Sequence, residues 1–180
     1  MALMLDVDGS SYIGARSYQE DAIWWDRNPA NSPWLGIISD GMGGHAAGDK
    51  ASKLAVRTIS EVFARAFSQF GDISTALKQA VEAAHTAVLE EGIRLGHKHN
   101  MGATVVAFSI YQDRLYWCSA GDSRLYLVRN RQVHQLTTDF TFETDLMEAV
   151  RNGNMTREEV ANNPQRNALT SFLGVDRPLR

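Results

Sequence analysis

One stretch, Trp34-Leu-Gly-Ile-Ile-Ser-Asp-Gly-Met-Gly-Gly-His-Ala-Ala-Gly48, narrows the folds open to this chain more than any other. The apolar run from Leu35 to Ile38 reads as a buried strand that stops at Asp40, and Gly41, Gly43 and Gly44 follow at once. A carboxylate is thereby held at the mouth of a rigid strand. The glycines beyond it leave backbone groups uncovered, so that a cation or a phosphate can come close. An Asp-Gly pair can equally be a tight hairpin turn. After Gly48, however, the pattern changes to a long helix and not to a second alternating strand, which fits a two-residue hairpin poorly.

That helix is marked by apolar residues at Ala51, Leu54, Ala55, Ile59, Val62, Phe63, Ala66 and Phe67, close to an i, i+3, i+4, i+7 series. Gly71-Asp72 breaks it. Asp72 can cap a second helix whose stripe runs Ile73, Leu77, Ala80, Val81, Ala84, Val88 and Ile93, giving an antiparallel helix pair. On either side the chain reads as strands. Residues 3–13 predict a broken or edge strand, and Ala22 to Asp26 a short aromatic-rich one; the Pro- and Asn-rich segment 28–33 reads as a turn. From Met101 the period becomes two, with runs at 103–110, 114–118 and 124–128 and a short one at 132–136, an antiparallel meander. Residues 139–163 are polar, carry a capping-box pattern at Thr156-Arg-Glu-Glu159 and read as an exposed helical insertion. Ala168 to Phe172 and Leu173 start a last strand-like run. Strands, a helix pair and more strands predict an α+β architecture with helices on sheet faces.

The 180 residues suit a single domain, 1–180, with a core of its own. Charge is nearly balanced, 18 Lys and Arg against 21 Asp and Glu, and no basic run points to a nucleic-acid or membrane surface. No segment approaches the ~20 apolar residues of a membrane span, and the first residues lack a signal peptide's basic flank and apolar core, so a cytoplasmic protein is expected. Cys118 is the one cysteine, which excludes an intrachain disulfide and a cysteine-based zinc cluster.

Three acidic loci fall at turns or strand ends: Glu20-Asp21, Asp40-Gly41 and Gly121-Asp122. Hard divalent cations such as Mg²⁺ and Mn²⁺ prefer oxygen ligands and keep several waters, so a few carboxylates suffice to hold them. Taken singly, each locus is as readily a turn or cap residue, and Asp122 could close a hairpin.

Together, six segments resemble the metal-dependent protein phosphatases, the PPM or type 2C family. They are Arg16-Ser-Tyr-Gln-Glu-Asp21, Ser39 to Gly48, Met101-Gly-Ala-Thr104, Ala120-Gly-Asp-Ser-Arg124, Leu136-Thr-Thr-Asp139, and Asn167-Ala-Leu-Thr170 with Leu173-Gly174. They stand in the family's order over essentially the whole chain, and the Asp-Gly-Met-Gly-Gly form resembles its bacterial branch. The resemblance implies a β-sandwich of antiparallel sheets flanked by antiparallel helix pairs. It also implies two or more Mn²⁺ or Mg²⁺ ions, with Asp40 bridging two of them and the Gly41 carbonyl on one. Glu20 and Asp21 would hold the ions and their waters, Asp122 would belong to an additional, weaker metal position, and Arg16 would grip the substrate phosphate. The implied reaction is metal-dependent hydrolysis of phosphoserine or phosphothreonine in proteins, targets of a Ser/Thr kinase, by a water bridging the two metals.

The sequence departs from the family pattern at Gln19, Ala103 and Phe140, where Asn, Thr and His are usual. Met42 stands where eukaryotic relatives have a histidine, and His45 is the nearby candidate for the general acid. Family members continue past Leu173-Gly174 with a Ser-Asp-Gly element and an Asp-Asn pair whose aspartates bind metal. The chain stops before either, and so reads as a PPM-like domain lacking the C-terminal metal-binding segment. The sequence also admits two rival readings. A phosphoprotein-binding module could keep the fold and Arg16 without turnover. A cysteine-dependent phosphatase is the other, since Cys118 and Arg124 have Cys-x5-Arg spacing, although Asp122 inside that loop would repel phosphate and a strand, not a helix, follows. Trp24, Trp25, Trp34 and Trp117 are expected to supply core area.

Overall fold

The computed structural model describes residues 5–27, 33–44, 46–98 and 100–180. The elements, in order, are β1 (Asp21–Trp25), β2 (Trp34–Met42), α1 (Ala46–Phe70), α2 (Ile73–Arg94), β3 (Gly102–Ala103), β4 (Val105–Tyr111), β5 (Arg114–Ala120), β6 (Tyr126–Arg129), β7 (Gln132–Gln135), α3 (Phe142–Arg151) and α4 (Arg157–Ala161). The main sheet is antiparallel in the order β1-β2-β4-β5, with β3 paired to the far end of β2; β6 and β7 form a two-stranded sheet of their own.

One face of the main sheet is covered by the helix pair. Because side chains alternate along a strand, Leu35 and Ile37 of β2 and Val105 and Ala107 of β4 point the same way. They meet Ala51, Ala55, Ile59 and Phe63 of α1 and Leu77, Ala80, Ala84 and Val88 of α2, all buried in one core cluster. The many alanines let α1 and α2 approach closely while longer side chains fill the space toward the sheet. The helix joint follows local chemistry: Gly71, at φ +66°, donates its N–H to the Phe67 carbonyl, and the Asp72 carboxylate accepts from Thr75 N at 2.7 Å. Gln112-Asp113 and Asn130-Arg131 each have two consecutive positive φ angles, the geometry that turns β4 into β5 and β6 into β7 with the right twist. Helix α4 begins with the capping box expected at Thr156 and Glu159.

The α+β class, the antiparallel sheets and the helix pair are as the sequence predicts. Four local expectations differ. Residues 5–13 form no strand; they pass over the sheet, where Gly9 lies so close to the Trp25 ring that a Cβ would stand 2.7 Å from it. Strand β2 does not stop at Asp40 but runs on to Met42, because Gly41 and Met42 pair with Ala103 and Gly102. Residues 168–173 make isolated bridges, Leu169 with Thr141 and Leu173 with Ala103, and not a strand. Of the tryptophans, Trp34 is buried, but Trp24 and Trp117 are 37% and 41% exposed. Trp117 shares the face opposite the helices with Ile38, itself 42% exposed, and Trp24 sits on edge strand β1. The turn-rich segment 28–32 lies outside the described residues. Among the described residues, no helix is long and apolar enough to cross a membrane.

Candidate metal centre

The register of β1 on β2 sets Asp21 directly opposite Asp40. Directly paired residues share a face of the sheet, so both carboxylates point to the side away from the helices, close enough for the charge of Asp21 to act on Asp40. Continuing β2 through Gly41 is therefore what builds the site: Asp40 is held inside a paired strand and not on a flexible turn.

Glu20, one residue earlier, points the other way. Its carbonyl accepts from Gly41 N at 3.1 Å, while its carboxylate is tucked beneath the start of α1, where a Cβ on Gly48 would stand 2.9 Å from Glu20 Oε1. Gly41 and Gly48 make this possible together. A Cβ on Gly41 would collide with the Gly48 carbonyl, so only bare backbone lets α1 cross so close to β2. The alternation of faces keeps the Glu20 carboxylate apart from those of Asp21 and Asp40, and among the described residues no three Asp, Glu, His or Cys side chains close on a single point.

Asp122 and Arg16 complete the arrangement. Both side chains are exposed, and the charges of both reach Asp40. The carboxyl of Asp40 is pushed up to about 6, first by burial, then by the charge of Asp21, with Asp122 adding and Arg16 opposing. The structure thus pairs Asp21 with Asp40, sets Asp122 and Arg16 within charge range of Asp40, and joins Glu20 to Gly41 through the backbone. His45 lies outside the described residues.

Two features of the site fit a divalent cation. Like charges are held side by side at Asp21 and Asp40 at an energetic cost that a +2 ion would reverse. Oε1 of Glu20 is buried with no hydrogen-bond partner, and an ion or its coordinated water would satisfy it.

Thr104 and Ser123 lie within the motifs Met101-Gly-Ala-Thr104 and Ala120-Gly-Asp-Ser-Arg124 but carry no charge that would mark them from sequence. Thr104, 2% exposed, sits between β3 and β4. Its Oγ1 accepts from Asp40 N at 3.0 Å and lies 2.6 Å from Ser123 Oγ.

The loop around Asp122 is also the root of the polar insertion. Arg124 forks onto the Asp139 carboxylate, Gln135 donates to the same group, and Phe140 N donates to the Gly121 carbonyl. Helices α3 and α4 thus rise from beside the acidic cluster. The cysteine reading fails on this geometry. Cys118 lies within β5, burial pushes its thiol up where a nucleophile needs it lowered, and Arg124 leads into strand β6.

The chain belongs to the protein phosphatase 2C family, whose pattern matches residues 8–170. The Ser/Thr phosphatase stp of Listeria monocytogenes is 33% identical over 163 residues, 89% of this chain and 63% of that protein. A solved Ser/Thr phosphatase of S. agalactiae superposes with a TM-score of 0.76 at 34% identity, covering 92% of this chain and 66% of the other. The catalytic domain of the Ser/Thr protein phosphatase PstP, solved with 2 manganese ions, superposes with a TM-score of 0.66 at 30% identity, covering 92% of this chain and 64% of that domain. The chain therefore spans somewhat less than two thirds of the length of these relatives.

Proposed function

We propose that this chain forms the metal-holding part of a protein serine/threonine phosphatase that hydrolyses phosphoserine and phosphothreonine with Mn²⁺ or Mg²⁺. The observation that carries the proposal is the Asp21-Asp40 pair, two carboxylates forced together on one face of a sheet with Asp122 and Arg16 within charge range.

In this reading Asp40 and Asp21 hold the cations directly, Glu20 and the Gly41 carbonyl contribute from the α1 side, and Asp122 serves a further, weaker position. The bound cations would supply the Lewis acidity that makes a water nucleophilic near neutral pH and screens the phosphoryl oxygens. The protein's own work is placement. Strand β2 fixes Asp40, the glycine crossing fixes Glu20, and the planar guanidinium of Arg16, exposed at the rim, offers a phosphate two parallel N–H donors. No side chain here need form a covalent bond to phosphorus. Substrates would be phosphorylated proteins, targets of a Ser/Thr kinase in the cytoplasm.

The test is phosphate release from a phosphothreonine peptide. Turnover is expected with Mn²⁺ or Mg²⁺ and not with EDTA, with Arg16→Ala raising KM and Asp40→Asn abolishing the reaction. Metal-independent release, or an Asp40→Asn variant as active as the parent, would contradict the proposal. Peptide binding without turnover would favour a binding module.

A further inference from the structure

We infer that Thr104 is a positioning residue, the tie that fixes Asp40 relative to the loop carrying Asp122. The inference rests on the proposed metal centre and deepens it.

The tie begins where the sheet ladder is interrupted. β2 pairs with β4 from Trp34 to Ile38 and with β3 at Gly41 and Met42, so Ser39 and Asp40 lie opposite the break at Thr104. A break would leave buried backbone groups unpaired, and Thr104 pairs them itself. Its N–H donates to the Asp40 carbonyl at 2.8 Å, its carbonyl accepts from Ser39 Oγ at 2.7 Å, and its hydroxyl accepts from Asp40 N at 3.0 Å. Asp40 is thus gripped through both of its backbone polar groups by one residue.

The same hydroxyl reaches away from the strand. At 2.6 Å it meets Ser123 Oγ, the side chain next after Asp122. On its other branch the Thr104 methyl abuts Gly121, where a Cβ would stand 2.6 Å from Thr104 Cγ2, and the φ of +94° there is a conformation that glycine adopts without strain. Asp122 is therefore bracketed on both sides by contacts to one buried, β-branched side chain with restricted χ1 freedom. Neither Asp122 nor Asp40 touches Thr104 through its carboxylate. What Thr104 sets is the distance and angle between them, and a cation position that draws on both depends on that spacing.

The hydroxyl and the methyl can be removed separately. Thr104→Val keeps the branched shape and loses the hydroxyl, whereas Thr104→Ser keeps the hydroxyl. Mn²⁺ binding to the 180-residue chain is measured by calorimetric titration, the amide resonances of Gly121, Asp122 and Ser123 by ¹H–¹⁵N NMR, and folding by circular dichroism. Thr104→Val is expected to stay folded, to bind Mn²⁺ at least tenfold more weakly and to displace those three resonances; Thr104→Ser is expected to recover both. If Thr104→Val does not fold, Ser123→Ala, which cuts only the loop end of the tie, is expected to give the same weakening.

A folded Thr104→Val, or a Ser123→Ala standing in for it, that binds Mn²⁺ like the parent with the three resonances unmoved would overturn the inference. So would a Thr104→Ser no better than Thr104→Val. If Asp40→Asn abolishes binding and Thr104→Val does not weaken it, the metal centre stands and the tie fails. If the parent binds no Mn²⁺, the metal centre fails, and the resonances decide the tie alone: moved in the valine variant and restored in the serine variant supports it, unmoved overturns it.

Discussion

At the scale of single residues, the site is shaped as much by atoms that are missing as by carboxylates. Gly41→Ala has nowhere to put its methyl, since the Gly48 and Glu20 carbonyls are backbone and cannot rotate away. This substitution is expected to destabilise the chain by about 3 kcal/mol or more, read as a lost or shifted denaturation midpoint. Gly48→Ala meets the end of the Glu20 side chain, which can swing aside, and the Gly41 backbone carbon at 3.0 Å, which a small shift relieves. It is expected to remain folded and to weaken Mn²⁺ binding, and a calorimetric titration beside the parent checks it.

Asp40 predicts a pH effect whose sign runs against that of most carboxylates. Its carboxyl is raised from 3.8 to about 6 in the folded chain. Between these values the folded state holds a proton that the unfolded state releases, so this contribution is complete at low pH and is lost as pH rises through 6. The group is half-exposed, and solvent screening leaves an effect on the order of 1 kcal/mol. In EDTA at pH 8, Asp40→Asn should therefore melt higher than the parent, even though it should lose activity. A lower melting temperature at that pH would contradict the charge arrangement described for Asp21 and Asp40.

At the scale of elements, β2 carries the structure and the chemistry at once. Its buried half, Leu35 and Ile37, packs on the helices, and its far end presents Asp40. Ile59, fully buried on α1 in the same core cluster, braces the sheet from behind. Ile59→Ala is expected to cost about 2–5 kcal/mol in a denaturant titration. A second brace joins α2 to the 173–174 segment, where Gly174 N donates to His85 Nδ1 at 3.2 Å. Burial lowers the readiness of His85 to take a proton. A lowered histidine is stabilising in its neutral form, so this contact is present at neutral pH and should be lost as pH falls below the ordinary histidine range. Exchange of the Gly174 amide, faster at pH 5 than at pH 7 relative to its intrinsic rate, is the expected signature.

The elements differ in how plainly they could be read from sequence. Helices α1 and α2 were legible because their apolar stripes are local and periodic, and Gly71-Asp72 punctuates them. The end of β2 was not, since Asp-Gly-Met-Gly resembles a turn until Ala103 and Gly102, some sixty residues on, supply its partners. The apolar run 168–173 looked like a strand because alternation does not reveal whether a neighbouring strand is there to pair with it. At the site, Asp21, Asp40, Asp122 and Arg16 were recognisable as charged residues at motif positions. Glu20 was recognisable too, but which face of the sheet it occupies depends on register. Thr104 gave no signal of its role, which consists of hydrogen bonds to residues 64 and 19 positions away in sequence.

At the scale of the whole molecule, a helix-backed sheet holds a cluster of like charge at one end of its central strand. Such a cluster costs stability when bare and repays it when a cation binds. Saturating Mn²⁺ at a hundred times its dissociation constant should stabilise the chain by about 2.7 kcal/mol, visible as a rise in melting temperature that EDTA reverses and Asp40→Asn removes. In the proposed function, Asp21 and Asp40, paired across β1 and β2, hold divalent cations with help from Glu20 and Asp122. Crystals of this chain soaked in Mn²⁺ and measured at the manganese absorption edge test it most directly. Anomalous peaks at bonding distance from the Asp40 and Asp21 carboxylates are the result predicted; peaks elsewhere, or none at that pair under saturating Mn²⁺, would contradict it.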